Sequence, residues 1–202
     1  MSPGNRGKAK MSQEPPDTRT LRAGAELFRI HLGSFSPLWY GPGKGRPARH
    51  RFDAPSGEYG ALYVAQSPAG AFAEVFLRTP GRLPRIIESS ELENRTMSRI
   101  IVKKPLVLAK LRGPGLSWYK TTSAVSSSSE SEYSVAQQIA LDVFQDSRNL
   151  HGIEYRSRHD DNELVCVIFD RAQTSLKVDP DFHYPCIDLA ADLQTQYPIA
   201  VN

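Results

Sequence analysis

Residues 61 to 65, Ala-Leu-Tyr-Val-Ala, put Ala61, Tyr63 and Ala65 on one parity, with Tyr59 ahead of them, and Leu62 and Val64 on the other. Apolar side chains on both parities predict a short strand buried on its two faces. Ser67-Pro68 then opens a helix: the serine hydroxyl can accept from a free amide as N-cap, and proline at the first helical position gives up no needed donor. The spacing of Ala69, Phe72, Ala73 and Phe76 predicts that this helix runs to Arg78 with those residues on its core stripe, closed by Pro80-Gly81.

Farther along, Ile100 to Val102 and Leu106 to Leu111 are β-like runs separated by Lys103-Lys104-Pro105, and Gly113-Pro114-Gly115 breaks the chain. Val135, Ala136, Ile139, Ala140, Val143 and Phe144 fall on one helical face. The serine-rich stretch from Ser126 to Ser131 before it reads as a flexible insertion, in which Ser129 and Glu132 have the spacing of a capping box. Gly152 to Ser157 and Leu164 to Phe169 predict two further strands joined by the charged loop from Arg158 to Asn162. Ser157 thus ends its strand. No segment repeats.

At 202 residues and 40% hydrophobic, the chain can bury one core and is short for two. One domain is expected over residues 23–195, between a flexible basic tail at 1–22 and a C-terminal tail at 196–202. The longest apolar runs are of strand length, and the first ten residues hold no apolar stretch. The expectation is a cytoplasmic protein with neither signal peptide nor membrane span. Cys166 and Cys186 read as buried free thiols, and the five histidines are dispersed, so no metal is expected.

Charge is unevenly distributed along the chain. Residues 1–51 hold ten Lys and Arg against three Asp and Glu, whereas the remaining 151 hold fifteen against nineteen. The excess can be a solubilising tail, a nucleic-acid contact, or a phosphate-binding loop at Lys44, Arg46, Arg49 and Arg51. The Gly-, Pro- and Ser-rich composition of 1–22 fits the tail. Residues 41–51 mix flexibility with guanidinium groups that can grip a diphosphate in bidentate fashion, which fits the loop. Direct contact with nucleic acid is disfavoured, because the aromatic-basic interleaving of a base-stacking platform is missing.

Arg51, Tyr63 and Glu74 flank the predicted strand-to-helix turn. Glu74 has Gly70, Ala71, Leu77 and Arg78 as helical neighbours, a small and fairly apolar face that suits a carboxylate at the floor of a cleft. It can equally be a surface residue paired with Arg78. Tyr63 can be a core tyrosine, Arg51 a surface ion pair and Ser157 a turn residue.

In combination these positions resemble the RES domain family, named for its arginine, glutamate and serine. Phe28-Arg29-Ile30 matches its opening aromatic-Arg pair, and Arg51-Phe52-Asp53 with Gly57 its Arg-aromatic-polar segment and glycine turn. Tyr63, Glu74 and the Tyr155-Arg156-Ser157 element follow in order. The family commonly has Trp-Asn where this chain has Phe52-Asp53. The resemblance spans Leu27 to Asp170 and implies an α+β fold: a single compact domain like that of ADP-ribosyltransferases, with a mixed β-sheet core and flanking helices. It further implies an NAD-consuming enzyme that cleaves the nicotinamide N-glycosidic bond, acts as the toxin of a toxin–antitoxin pair and needs no metal. By the same resemblance Arg29 and Arg51 hold the diphosphate, Tyr63 stacks or contacts ribose, Glu74 faces the ribose hydroxyls and the developing cation, and Ser157 positions the nicotinamide ribose. The implied partner is a helix-turn-helix antitoxin, in a toxin–antitoxin hetero-oligomer or beside a homo-oligomer of the toxin. The acceptor stays open between water, as in a glycohydrolase, and phosphate, as in a phosphorolase; a protein mono-ADP-ribosyltransferase using the same site, and a non-catalytic interaction module, remain further alternatives.

Overall fold

The computed structural model describes residues 17–43, 45–78 and 83–202. Its strands are β1 (Thr18–Leu21), β2 (Glu26–Leu32), β3 (Ala61–Ala65), β4 (Arg85–Ile87), β5 (Arg95–Val102), β6 (Leu106–Leu111), β7 (Gly152–Arg156), β8 (Leu164–Phe169), β9 (Leu176–Val178) and β10 (Ile199–Val201). The helices are α1 (Pro68–Phe76), α2 (Ser89–Glu93), α3 (Gly115–Trp118), α4 (Ala124–Ser127), α5 (Tyr133–Gln145) and α6 (Cys186–Leu193). Eight strands make one mixed sheet in the order β1-β6-β7-β8-β3-β2-β5-β9, with β6 and β7 parallel, and β10 pairs with β4 apart from it. The result is a single compact α+β domain.

Two-sided burial of the central strands explains the layering. Ala61 and Ala65 of β3 join Phe28 and Ile30 of β2 under Phe72 and Phe76 of α1, Ala136 and Ala140 of α5 and Leu189 of α6. Leu62 and Val64 face the other way, onto Leu27, Ile100, Leu108 and Ile168. Each fully buried large side chain, such as Leu62 or Phe72, contributes about 1.5–3 kcal/mol by leaving water.

α1 starts as its sequence dictates. Ser67 Oγ accepts from Gly70 N at 2.9 Å, and Pro68 occupies the first helical position. Gly70 eases the close approach of helix and strand: a Cβ there would come within 3.2 Å of Ala65 Cβ and 3.0 Å of the Glu163 carboxylate, tighter than most side-chain contacts. The helix can therefore fold tightly back from the end of β3.

One pairing is unlike the rest. β2 and β5 stay in register through all seven residues from Glu26 to Leu32, whereas β2 and β3 register at a single pair, Phe28 opposite Ala65. The place beside Ala61 is taken by the preceding loop, where Gly41 N and O bond Ala61 O and N at 3.2 and 3.0 Å. The sheet is thus split between β3 and β2.

Several expectations need correction. The boundaries at 22 and 196 both meet ordered structure: β1 pairs with β6 through Thr18 to Leu21, and β10 pairs with β4 through Ile199 to Val201. Short strands that borrow their hydrogen bonds from a distant partner carry little periodicity of their own. The Ser126 to Ser131 stretch is no passive insertion, since Val125 and Ser126 are buried, α4 forms, and Ser126 Oγ donates to Ser123 O at 2.9 Å. Glu132 does accept from Ser129 N and Oγ at 3.0 and 2.8 Å, but this closes a 3-10 turn ahead of α5 and does not cap α5 itself. Val135, expected on the core face of α5, is 63% exposed. Residues 1–16 of the tail, Lys44, and Pro80-Gly81 lie outside the described residues.

Candidate active site

Side chains from both edges of the split, from α1 and from three loops line a cleft of about 360 Å³. That lies within the range of small-molecule sites. Glu74, projecting from α1 into this cleft, is half-buried, and its Oε1 accepts from Ser157 Oγ at 2.7 Å. Ser157 Oγ in turn accepts from His159 N at 3.1 Å. Arg78 Nε donates to the backbone carbonyl of Glu74, so the carboxylate turns to Ser157 instead of forming a surface ion pair.

Ser157 is 3% exposed and stands behind the glutamate, outside the cleft lining. Its hydroxyl hydrogen is committed to the carboxylate. It therefore fixes the Glu74 rotamer and leaves the ligand space to its neighbours.

Arg51 comes from a turn built by buried polar groups. Asp53 is fully buried; its Oδ2 accepts from Arg49 N and His50 N at 2.9 and 2.8 Å, and its Oδ1 from Tyr63 Oη at 3.0 Å. Tyr63 Oη also accepts from Phe52 N at 3.0 Å. The buried Phe52 ring stacks obliquely on Tyr155, 4.7 Å between centroids. A carboxylate here can accept three bonds at once, which gives Asp53 its reason. Burial, reinforced by the Asp53 charge, holds the Tyr63 hydroxyl well above its ordinary pKa. Tyr63 lines the cleft with its ring while its hydroxyl belongs to the turn.

The Arg51 guanidinium is mostly buried, lies 5.3 Å from the centroid of the Tyr133 ring, and makes a long 3.4 Å bond to Ser128 O. Its Nε is buried without a hydrogen-bond partner. A cation supported by an aromatic face and left with a free donor is poised for an anion.

Arg29 lies on the opposite parity of β2 from Phe28 and Ile30. Its Nη1 donates to Pro37 O at 2.8 Å and Trp39 O at 3.1 Å, and burial lowers its pKa. It lines the cleft but is partly spent on holding the loop at 37–39. Of the expected basic loop, Arg49 and Arg51 reach the cleft; Arg46 is exposed and outside its lining.

The lining also includes residues that sequence reasoning did not single out: Trp39, His50, Tyr133, Arg158 and His159. Arg158 and His159 directly follow Ser157, and adjacency to a strand-end serine was the available signal. Tyr133 opens α5 and carries none. Burial, opposed by Glu74 and aided by Arg158, Arg78 and Arg51, lowers the His159 pKa. Arg29, Arg49, Arg51, Arg78 and Arg158 line the cleft, with Glu74 as its acidic counterpart. Such a surface attracts an anion while placing one carboxylate against it. Among the described residues, no cluster of three or more His, Cys, Asp or Glu side chains is arranged to hold a metal.

The fold is shared with a solved structure. The chain matches one in the crystal structure of the M. tuberculosis MbcT-MbcA toxin-antitoxin complex with a TM-score of 0.63 and 16% identity, over 87% of this chain and 92% of that one. No curated protein matches the chain. The family model described as RES domain matches residues 26–187, which hold all five expected site residues, and the chain belongs to that family.

Proposed function

We propose that the protein is an enzyme that consumes NAD by breaking the bond between nicotinamide and ribose, as the toxin of a toxin–antitoxin pair. The observation that carries this reading is the Glu74 carboxylate, oriented by Ser157 at 2.7 Å inside an arginine-lined cleft. Membership of the RES domain family and the fold shared with a toxin–antitoxin complex support it.

The chemistry asks little of the protein beyond position and charge. As the C1′–N bond breaks, its electron pair neutralises the pyridinium nitrogen and positive charge grows on the ribose. Glu74 faces that cation. Arg51, fixed by the Asp53 turn and the Tyr133 ring, grips the diphosphate and holds the reacting ribose in place. Tyr63 contributes its ring to the wall and its hydroxyl to the turn that presents Arg51. Ser157 acts through Glu74 as a positioning residue. A water oxygen then attacks C1′ from the open side, forming the C–O bond and releasing its proton to bulk solvent. No metal is needed, because nicotinamide departs as a neutral molecule.

The partner is an antitoxin that presents an acidic segment to the cationic mouth, where charge complementarity speeds association and excludes substrate. We place the activity in the cytoplasm, where NAD and the antitoxin meet. No described helix is long and apolar enough to cross a membrane.

Purified protein incubated with NAD should release nicotinamide, followed by chromatography, without labelling protein in a parallel gel with radiolabelled NAD. Labelled protein bands would make the acceptor a side chain. The absence of both nicotinamide release and protein label would overturn the enzymatic reading.

A further inference from the structure

We propose that Trp39, backed by Phe35, forms an aromatic subsite for the second nucleobase of the substrate, the base that the reaction leaves attached. This rests on reading the cleft as a nucleotide site, and it names what recognises the far end of the ligand.

Trp39 lines the cleft yet remains 42% exposed, and Phe35 beside it is 50% exposed, their ring centroids 6.0 Å apart. Two large aromatic rings open to water at a cleft mouth are costly unless something covers them. The segment carrying them is held firmly. Arg29 Nη1 bonds the carbonyls of Pro37 and Trp39, Trp39 N bonds Ser36 O at 3.1 Å, and Phe35 N bonds Leu32 O at 2.9 Å. Leu38 and Tyr40 on either side of Trp39 pack into the core on the Leu62 face. The indole is thus left at the cleft as a fixed platform.

Gly41 explains how the ring sits there. A Cβ on Gly41 would fall 1.9 Å from Trp39 Cη2 and 2.3 Å from Cζ3, so the benzo edge of the indole rests directly against the glycine backbone. The atoms in conflict belong to the far end of a side chain, so adding a methyl at 41 would push the indole aside while its backbone bridge to Ala61 can stay.

Register gives the distance. Gly41 stands beside Ala61 at one end of β3, whereas Ser157, next after the Arg156–Leu164 pair, lies past the Ala65–Val165 pair at the other. Four residues of strand span roughly 13 Å. A dinucleotide carries its bases at opposite ends of a diphosphate-linked chain. With the reacting ribose at Glu74 and the diphosphate at Arg51, the second base arrives at Trp39, where its flat face meets the indole.

Binding of ADP and of inorganic pyrophosphate to the full-length protein, measured by calorimetry, tests this without any turnover. The wild type should bind ADP more tightly than pyrophosphate. Trp39→Ala should weaken ADP about tenfold, equal to about 1.4 kcal/mol, and leave pyrophosphate unchanged. Gly41→Ala should follow Trp39→Ala, and Trp39→Phe should restore most of the ADP affinity. Equal loss of both ligands, ADP binding indifferent to Trp39, or equal binding of both ligands by the wild type would overturn the subsite. Nicotinamide release is a separate readout. Its absence alongside Trp39-dependent ADP binding would remove the proposed reaction and leave the subsite standing.

Discussion

Ser157 Oγ donates to Glu74 Oε1 across 2.7 Å, joining the residue after β7 to the last turn of α1 over 83 residues of sequence. The strand end fixes where the hydroxyl stands, and the helix brings the carboxylate to it. An anion held in one rotamer at the wall of a cationic cleft needs no reorganisation when charge develops opposite it.

Replacing Glu74 by Gln keeps an acceptor for Ser157 and removes the negative charge. Nicotinamide release should fall by roughly 10²-fold, about 2.7 kcal/mol, with NAD binding little changed. Ser157→Ala leaves the charge and frees its rotamer, so kcat should fall about tenfold at similar KM. A full-rate Glu74→Gln variant would exclude the glutamate from the chemistry, and a Ser157→Ala loss confined to KM would make Ser157 a substrate contact.

For Arg51, Lys is the informative substitution. An ammonium keeps the charge but loses the planar two-pronged grip and the stacking on Tyr133. Affinity for NAD should drop noticeably, while the weak binding of nicotinamide riboside, which lacks the diphosphate, should hardly change. Equal losses for both ligands would show that Arg51 acts through folding.

β3, the Ser67-Pro68 helix start, β6, β7 and β8 were legible because each carries its own local signal, whether two-sided apolar parity or capping chemistry. The strands at Thr18–Leu21 and Ile199–Val201 were not, since they exist by pairing with β6 and β4. At the site, Glu74 and Ser157 were legible as a motif, but their contact was not, because it depends on how α1 folds back over the split. Trp39 and Tyr133 reach the cleft only through that split and through the placement of α5. Asp53 read as a departure from the family pattern, and only its three bonds show why a carboxylate belongs there.

Tyr63→Phe tests that turn. Loss of the hydroxyl leaves Phe52 N without its acceptor and Asp53 Oδ1 without its donor in a buried setting. Denaturant unfolding should register a loss of about 1–3 kcal/mol. A loss under about 0.5 kcal/mol would mean that water replaces the hydroxyl.

Acid should destabilise the fold below about pH 6.5, the ordinary histidine value. Burial lowers the pKa of His31, His151 and His159, so in this window the unfolded chain binds protons that the folded one refuses, and stability rises with pH. His151 makes the case concrete: its Nδ1 accepts from Val107 N at 3.0 Å, a bond that protonation of that nitrogen abolishes. His151→Asn keeps an acceptor without a titrating ring. Melting temperatures from pH 7 to pH 5 should fall less steeply in this variant, and an unchanged slope would assign the acid sensitivity elsewhere.

Deleting Ser126 to Ser129 should damage stability and turnover together. Val125 and Ser126 are buried, the Ser126 hydroxyl closes its own turn onto Ser123 O, and the Ser128 carbonyl accepts from both Arg51 and Arg158 at 3.4 and 3.3 Å. Loop closure alone changes slowly with length and would cost under about 1 kcal/mol. The deletion also removes the Ser126 bond, strains the Val125 anchor and withdraws the carbonyl that two cleft arginines share, so unfolding free energy should drop by more than about 1 kcal/mol. Ser126→Ala separates the effects: it should cost about 1 kcal/mol and leave nicotinamide release near the wild-type rate. A shortened protein that melts normally and still releases nicotinamide at full rate would return this stretch to the status of a passive surface loop.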